Sequence, residues 1–289
     1  MKNRVNKIPK LPFKSGFEQE FEITDLDDLY KESFSLLTAS HRTAFYQVLW
    51  LQERESTHYI DFSPVHTKAG SLLFIHKDMV KQFDRNHPGK GKMILFTDTF
   101  FSTQQKAVRF LNSTILFNNF LRVTKINSAH DGIIQLFENI AEEFNRPNDT
   151  FKSDILRNLL HNLLLICERE FRNKHIQSIE TGIELNTLVA FKKILEEHYQ
   201  QNKMVSFYAS MLHITEKKLG LHTFKILGKT PKEVINERVI LESKRLLAHT
   251  HMSIKEIGFQ LGFDEPTNFV KFFKKHENIL PGAFRDQYL

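Results

Sequence analysis

Apolar residues change their spacing along this chain, and the change separates two kinds of structure. From about Phe17 to Phe120 they come in short runs rich in aromatic and branched side chains: Phe45-Tyr-Gln-Val-Leu-Trp-Leu51, Tyr59-Ile-Asp-Phe62, Ser71-Leu-Leu-Phe-Ile75 and Met93-Ile-Leu-Phe-Thr97. Gly70, Asn86-His-Pro-Gly89 and Gly91 punctuate them, which predicts short strands in a β-sandwich or small barrel. The period then lengthens. Asp131 to Phe144 places Ile133, Leu136, Phe137, Ile140 and Phe144 on one helical face. Asn145-Arg-Pro-Asn-Asp149 breaks the pattern, and a longer helix follows with Ile155, Leu156, Leu159, Leu160, Leu163, Leu164 and Cys167 as a wide apolar stripe. Such a stripe has two uses: packing against the strands, or forming a homodimer interface through 153–170.

Polarity rises between Asn173 and Glu184, which predicts a linker over 176–186 between a domain at 1–175 and another at 187–289. Beyond it the periodicity is helical throughout, over 188–200, 205–212, 216–227, 231–249, 254–261 and 266–275. Thr230-Pro-Lys-Glu233 and Ser253-Ile-Lys-Glu256 have the form of capping boxes, the first with proline at the first helical position. Thr215 and Asp264 are expected caps for the helices that follow them. Gly228 and Gly262 stand where left-handed helix stops belong.

The faces of these helices divide sharply. In the second helix pair, Ile254, Ile257, Leu261, Phe263, Phe269 and Phe273 form a candidate core, leaving Thr267, Asn268, Lys271, Lys274 and Lys275 outside. In the first pair, Tyr208, Ala209, Leu212, Ile214, Leu219 and Phe224 are the expected packing set, with Lys217, Lys218, His222 and Lys225 outside. An exposed lysine usually does no more than solvate its helix. In a helix lying in a major groove, however, an amide pairs bidentately with adenine, and lysine reaches guanine or phosphate.

The residues that decide between these readings run across the whole C-terminal region. They are Tyr208-Ala209, Leu212, Ile214-Thr215, Leu219, Gly228-Lys-Thr-Pro231, Arg238 and Lys244-Arg-Leu-Leu247. They continue through Ser253-Ile-Lys-Glu-Ile-Gly-Phe-Gln-Leu-Gly-Phe263, Phe269, Phe272-Phe-Lys-Lys275, Pro281 and Phe284-Arg285. This set resembles the AraC/XylS-type DNA-binding domain of bacterial transcription regulators. The resemblance implies two helix-turn-helix units bridged by a long helix, each with its second helix in the major groove of double-stranded DNA. It places Lys217, Lys218, Thr267, Asn268 and Lys271 at positions that contact bases or adjacent backbone, and Lys274 at a phosphate position. Gly220 and Leu221 depart from the pattern, standing where the family often has longer polar or basic residues. The first unit then either touches a thymine methyl through Leu221 or mainly positions the domain.

The strand-rich front half resembles, less specifically, the cupin-like sensory domain of many family members. The implied fold class is α+β: a cupin-like β-barrel or sandwich with a helical segment, then an all-α domain with two helix-turn-helix units. A small-molecule effector and RNA polymerase are the further partners this implies. His41, His58, His66, His76 and His87 lack the His-x-His spacing of a cupin metal site, so no metal and no cofactor is expected. The 27 phenylalanines serve equally as core or as the lining of an apolar effector pocket.

Charge and cysteine content narrow the field further. Lys and Arg number 40 against 34 Asp and Glu, a net of +6, and most of the excess lies in the C-terminal third, where a phosphate backbone would meet it. The single cysteine, Cys167, excludes a disulfide framework and suits the reducing cytoplasm. No apolar run follows the basic N-terminus, which predicts no signal peptide, and Ile155 to Cys167 is too short and too interrupted to span a bilayer. No Gly-rich phosphate loop, paired-carboxylate motif or activated serine context appears, so a non-enzymatic regulator is expected. The alternative is a metal-dependent cupin enzyme with a regulatory helical tail. An alkyl-acceptor protein is a weaker rival, since Cys167 lies on an apolar helix face.

Overall fold

The protein's computed structural model describes residues 9–13, 20–101, 107, 110–111, 114–117, 123–176 and 182–287, and its described N-terminal residues include ten strands. The strands are β1 (Lys10–Leu11), β2 (Phe21–Asp25), β3 (Arg42–Thr43), β4 (Tyr46–Glu53), β5 (Ser56–Ile60), β6 (Ser63–Thr67), β7 (Leu72–Ile75), β8 (Lys81–Gln82), β9 (Lys90–Phe96) and β10 (Thr124–Ile126). An antiparallel five-stranded sheet runs β10-β7-β4-β9-β2, a smaller antiparallel sheet runs β6-β5-β8, and β1 pairs in parallel with β3. With β7 and β9 as its neighbours, β4 sits mid-sheet, and that is why Val48 to Leu51 are apolar without alternation: both faces are covered. Leu49, Leu51, Leu73, Ile75, Met93 and Leu95 cluster with Ile60 of the smaller sheet and with Phe83, just beyond β8. On the opposite face, Trp50 meets Phe137 with ring centroids 5.3 Å apart, and Phe21 meets Phe144 at 6.0 Å.

Helices α1 (Leu26–Leu37), α2 (Asp98–Phe101), α3 (Asp131–Asn145) and α4 (Lys152–Ile176) complete this unit, which spans Pro9–Ser178. Two expectations are corrected here. The first helix lies where only strands and turns were read, because it buries just Leu26, Tyr30 and Leu37 while Asp27, Asp28, Lys31 and Glu32 keep its outer face polar. The run at 59–62 is shifted: β5 ends at Ile60, and Asp61 and Phe62 take positive φ (46° and 66°) in the hairpin turn. The stripe on α4 has found its partner within the unit. Leu156, Leu160, Leu163, Leu164 and Cys167 are buried, and α4 packs along α3. The excess apolar width that suggested a dimer face through 153–170 is therefore reduced to Ile155 and Leu165.

The second unit, Ile179–Leu289, is helical throughout its described residues: α5 (Gly182–His198), α6 (Val205–Met211), α7 (Glu216–Leu227), α8 (Pro231–His249), α9 (Ile254–Gln260), α10 (Pro266–Glu277) and α11 (Pro281–Asp286). Its first helix starts inside the stretch read as a linker, and positions 177–181 of that stretch lie outside the described residues. Both capping boxes form. The Thr230 and Ser253 hydroxyls accept from the amides of Glu233 and Glu256, whose carboxylates accept in return at 2.7 and 2.6 Å. These four bonds satisfy amides that a helix start leaves unpaired. Thr215 likewise accepts from the Lys218 amide. Asp264 is not the cap expected. Glu265 holds that position without a side-chain bond, and Pro266 begins the helix. Gly228 and Asn278 end their helices in the left-handed region (φ 65° and 60°), and Gly262 turns the chain with φ 72°. No helix among the described residues is long and apolar enough to cross a membrane.

One charged side chain lies in the wrong solvent. Lys81 is fully buried on the inner face of the smaller sheet, beside Phe83 and Ile60. Its ammonium donates to the Thr43 hydroxyl at 2.6 Å and lies 5.7 Å from the centre of the Phe45 ring. Burial holds its proton affinity well below the ordinary lysine range, with Asp61 and Asp78 opposing. Two further buried polar atoms on the walls between the sheets, Nε2 of His58 and Oε1 of Gln47, have no hydrogen-bond partner among the described residues. A desolvated, poorly compensated ammonium does not repay its burial. Lys81→Met, close in length and apolar, should therefore leave thermal stability unchanged or raise it. A calorimetric loss above about 3 kcal/mol would instead show that the ammonium belongs to a satisfied network.

Candidate nucleic-acid interface

In the second helix-turn-helix, α9 and α10 close on Ile257, Leu261, Phe269 and Phe273, all buried, with Phe263 ringed by Phe269 and Phe272. In the turn, the backbone N–H of Phe263 donates a hydrogen bond to the carbonyl of Gly258 at 3.0 Å. At 3.6 residues per turn, the buried positions 269 and 273 take one side of α10, leaving Thr267, Asn268, Lys271, Lys274 and Lys275 within a single arc on the other. All five are exposed, and none of these side chains is held in a hydrogen bond or ion pair among the described residues. One amide and three ammonium groups on one helix face can donate to base edges and to phosphates.

The first unit is built on the same plan but presents a different face. Tyr208, Ala209 and Leu219 are buried, and the Tyr208 hydroxyl donates to the carbonyl of Asn202 at 2.6 Å. Lys217 and Lys218 are exposed at the start of α7 as expected. Three other expectations change. His222 is only 5% exposed, since it falls on the arc of Leu219 and Thr223, and its Nδ1 is buried without a partner among the described residues. Burial lowers its affinity for a proton, Glu184 opposes, and Lys218 and Lys225 add to the depression, so a charged outward imidazole is not available here. Lys225 is exposed, but its ammonium is bound to the Glu184 carboxylate of α5 at 3.0 Å. Phe224, expected in the core, is 65% exposed, because Thr223 takes the buried place beside it.

The two units meet through α8. Val234, Ile235, Val239, Ile240, Leu246 and Leu247 bury more than one of its faces, and it touches α7, α9, α10 and α11. Arg238 anchors it to α5. The Nε of Arg238 donates to both oxygens of Glu196 at 2.9 Å, Nη1 reaches Glu242 at 3.0 Å, and the guanidinium lies 4.0 Å from the centre of the Tyr199 ring. Although burial disfavours its charge, the two carboxylates hold its pKa above the usual value. Lys244 pairs with Glu277 of α10 at 3.0 Å. A second tie bypasses the long helix. The ammonium of Lys203, between α5 and α6, donates to the carbonyls of Leu261 (2.6 Å), Gly262 (3.0 Å) and Gln200 (3.2 Å), and lies 4.6 Å from the Phe263 ring centre. A cation from the first unit thus closes the C-terminal end of α9 in the second, where the helix dipole favours positive charge. Sequence matching passed over Lys203, because nothing near it in the chain reveals a partner 58 residues away.

The N-terminal histidines show no comparable convergence. Burial pushes His41 and His58 down to about 4, and His66 meets the Thr57 hydroxyl at 2.8 Å. Among the described residues no group of three or more His, Cys, Asp or Glu side chains could hold a metal ion. Burial raises the Cys167 thiol far above the ordinary range, with Glu170 adding to it, which makes a poor acceptor nucleophile.

Comparison with known proteins finds one matching family and several relatives. A family described as a helix-turn-helix domain matches residues 208–287. The HTH-type transcriptional regulator YisR of Bacillus subtilis is 31% identical over 93 residues, which is 32% of this chain and 32% of YisR. A second B. subtilis regulator, YfiF, is 24% identical over 258 residues, 87% of this chain and 80% of YfiF, and the lactose operon transcription activator of Staphylococcus xylosus is 27% identical over 54% of each. The chain thus spans about a third of YisR, half of the activator and four fifths of YfiF.

Two substitutions probe the tie between the units. A β-carbon at Gly262 would overlap the Gln200 carbonyl oxygen in a backbone conformation that side chains rarely adopt, so Gly262→Ala should cost about 2 kcal/mol or more in urea unfolding followed by far-UV circular dichroism. Gly220→Ala, where the added carbon meets nothing, should be neutral or stabilising by up to about 1 kcal/mol. Lys203→Met should remove about 1.5–3 kcal/mol of charged hydrogen bonding. Unchanged unfolding in that variant would mean that water replaces the ammonium at no cost.

Proposed function

We propose that residues 208–287, which match a helix-turn-helix family, are a DNA-binding domain of the AraC type, and that this protein is a sequence-specific DNA-binding transcription regulator that works in the cytoplasm. The observation that carries the reading is the pair of second helices, α7 and α10, each with its own core, whose helix-turn-helix units are tied together through α8 and Lys203. Such a pair grips two successive stretches of major groove, about 34 Å apart on one duplex face. Phosphate contacts from Lys217, Lys218, Lys274 and Lys275 supply most of the affinity. Thr267, Asn268 and Lys271 supply hydrogen-bonded discrimination.

The N-terminal unit is read as the sensor of a small-molecule effector. The support is the polar chemistry shut between its sheets, where the Lys81 ammonium is fully buried and Nε2 of His58 and Oε1 of Gln47 have no hydrogen-bond partner among the described residues. RNA polymerase and a second copy of the chain, the latter through Ile155 and Leu165 within 153–170, complete the proposed partners. The rival reading, a metal-dependent enzyme, predicts near-stoichiometric iron, manganese or zinc on the purified protein.

Selection from a random duplex pool tests the proposal directly. The expected winner has two short elements about one helical turn apart and a steep dependence on salt. On that site Asn268→Ala or Lys271→Ala should cost about 1–3 kcal/mol and relax preference at one or two base pairs. Lys274→Ala should instead weaken all sequences alike and lower the salt slope by about one. If Asn268→Ala left both affinity and preference intact, the groove assignment of α10 would be wrong.

A further inference from the structure

The outer face of α7 differs from that of α10 in one respect that hydrogen-bonded reading does not explain. Leu221 is 60% exposed and Phe224 is 65% exposed. Three- and four-residue spacing puts Leu221 beside Lys217, Phe224 and Lys225, so the two apolar side chains stand in the middle of the exposed arc with ammonium groups around them. Gly220 contributes no side chain to that arc, and a β-carbon there would meet nothing. His222 is turned inward, and Lys225 is engaged by Glu184. What remains at the centre of this face can neither donate nor accept a hydrogen bond.

We propose that α7 reads thymine C5-methyl groups, with Leu221 and Phe224 as the specificity-determining side chains of the first helix-turn-helix. The occupant is duplex DNA rather than an apolar protein surface, because Lys217 and Lys218, free of ion pairs among the described residues, flank the patch. A hydrophobic partner would have to desolvate them, whereas phosphates on either side of a groove would neutralise them. Within the major groove the thymine methyl is the one apolar feature on a base edge, and the other edges present donors and acceptors that Leu221 and Phe224 cannot satisfy. Cytosine or guanine against these side chains would leave a buried polar edge unpaired. The first half-site is therefore selected for A·T pairs by burial and the second by hydrogen bonds. This rests on the DNA-binding reading above.

Deoxyuridine in place of thymine removes the methyl and nothing else. With the full-length protein and the duplex that wins the selection, each thymine is replaced singly and affinity is measured by fluorescence anisotropy. At one or two positions in the half-site under α7, loss of the methyl should weaken binding about threefold to tenfold. Leu221→Ala or Phe224→Ala should bind the thymine duplex correspondingly less well and no longer distinguish it from the uracil duplex. Both side chains are exposed, so their circular dichroism should match the parent. Full insensitivity of the parent protein to uracil in that half-site would overturn the proposal while leaving sequence-specific binding standing. Alanine variants that lose affinity yet keep the parent ratio of thymine to uracil binding would overturn it too, and would assign the patch to a protein contact. A pool in which no duplex is enriched would bring down this inference and the DNA-binding reading together.

Discussion

Two short helices can address one duplex only if the distance and angle between them are set before binding, and this molecule meets that requirement with very few groups. The long α8 is apolar on several faces, so helices from both units pack on it at once. Lys203 and the close approach of Gly262 to Gln200 then fasten the turn of the second unit to the end of α5 in the first. The capping boxes, the paired Arg238 and the left-handed stops sharpen individual helices. The relation between the helices depends on α8 and this crossing tie. A tie made of carbonyl oxygens and one ammonium is directional, so it restricts rotation as well as separation.

Internal pairing also sorts the charges. Arg238, Lys244, Lys203, Lys225 and Lys229 bind carboxylates or carbonyls within residues 182–287. Lys217, Lys218, Lys271, Lys274 and Lys275 keep their side chains free among the described residues. The modest net charge of +6 therefore understates the local potential, because these five unpaired cations lie together on two helix faces. Those faces are chemically unlike. One carries an amide and a hydroxyl among its lysines, and the other carries leucine and phenylalanine.

The N-terminal unit follows an older logic of layers. A five-stranded sheet is covered by helices on one side and by a smaller sheet on the other, and its central strand is apolar throughout as a result. Against that background Lys81, His58 and Gln47 are costly, because each introduces polarity where the surrounding side chains offer little in return. Their cost is a reason to look for what they face.

How much of this was written in the chain depended on the range of the interaction. Caps, glycine stops, helix periods and the double helix-turn-helix follow from residues within four or five positions of one another, and the residues that carry them, Thr230 with Glu233 and Ser253 with Glu256 among them, were legible without coordinates. The exposed set on α10 followed as well, since its apolar and polar arcs are cleanly separated. What only the tertiary structure decided was the fate of side chains at the borders of arcs and in contacts between distant segments. His222 and Phe224 exchanged their expected places because Thr223 fits the core beside Leu219. Glu184 took Lys225 across 41 residues, and Lys203 found α9 across 58. The stripe on α4 was absorbed by its own unit, and Lys81 entered a core from a strand of two residues. Local sequence sets dihedral preferences and periodicity, whereas burial and charge pairing are sums over neighbours that only the folded chain brings together.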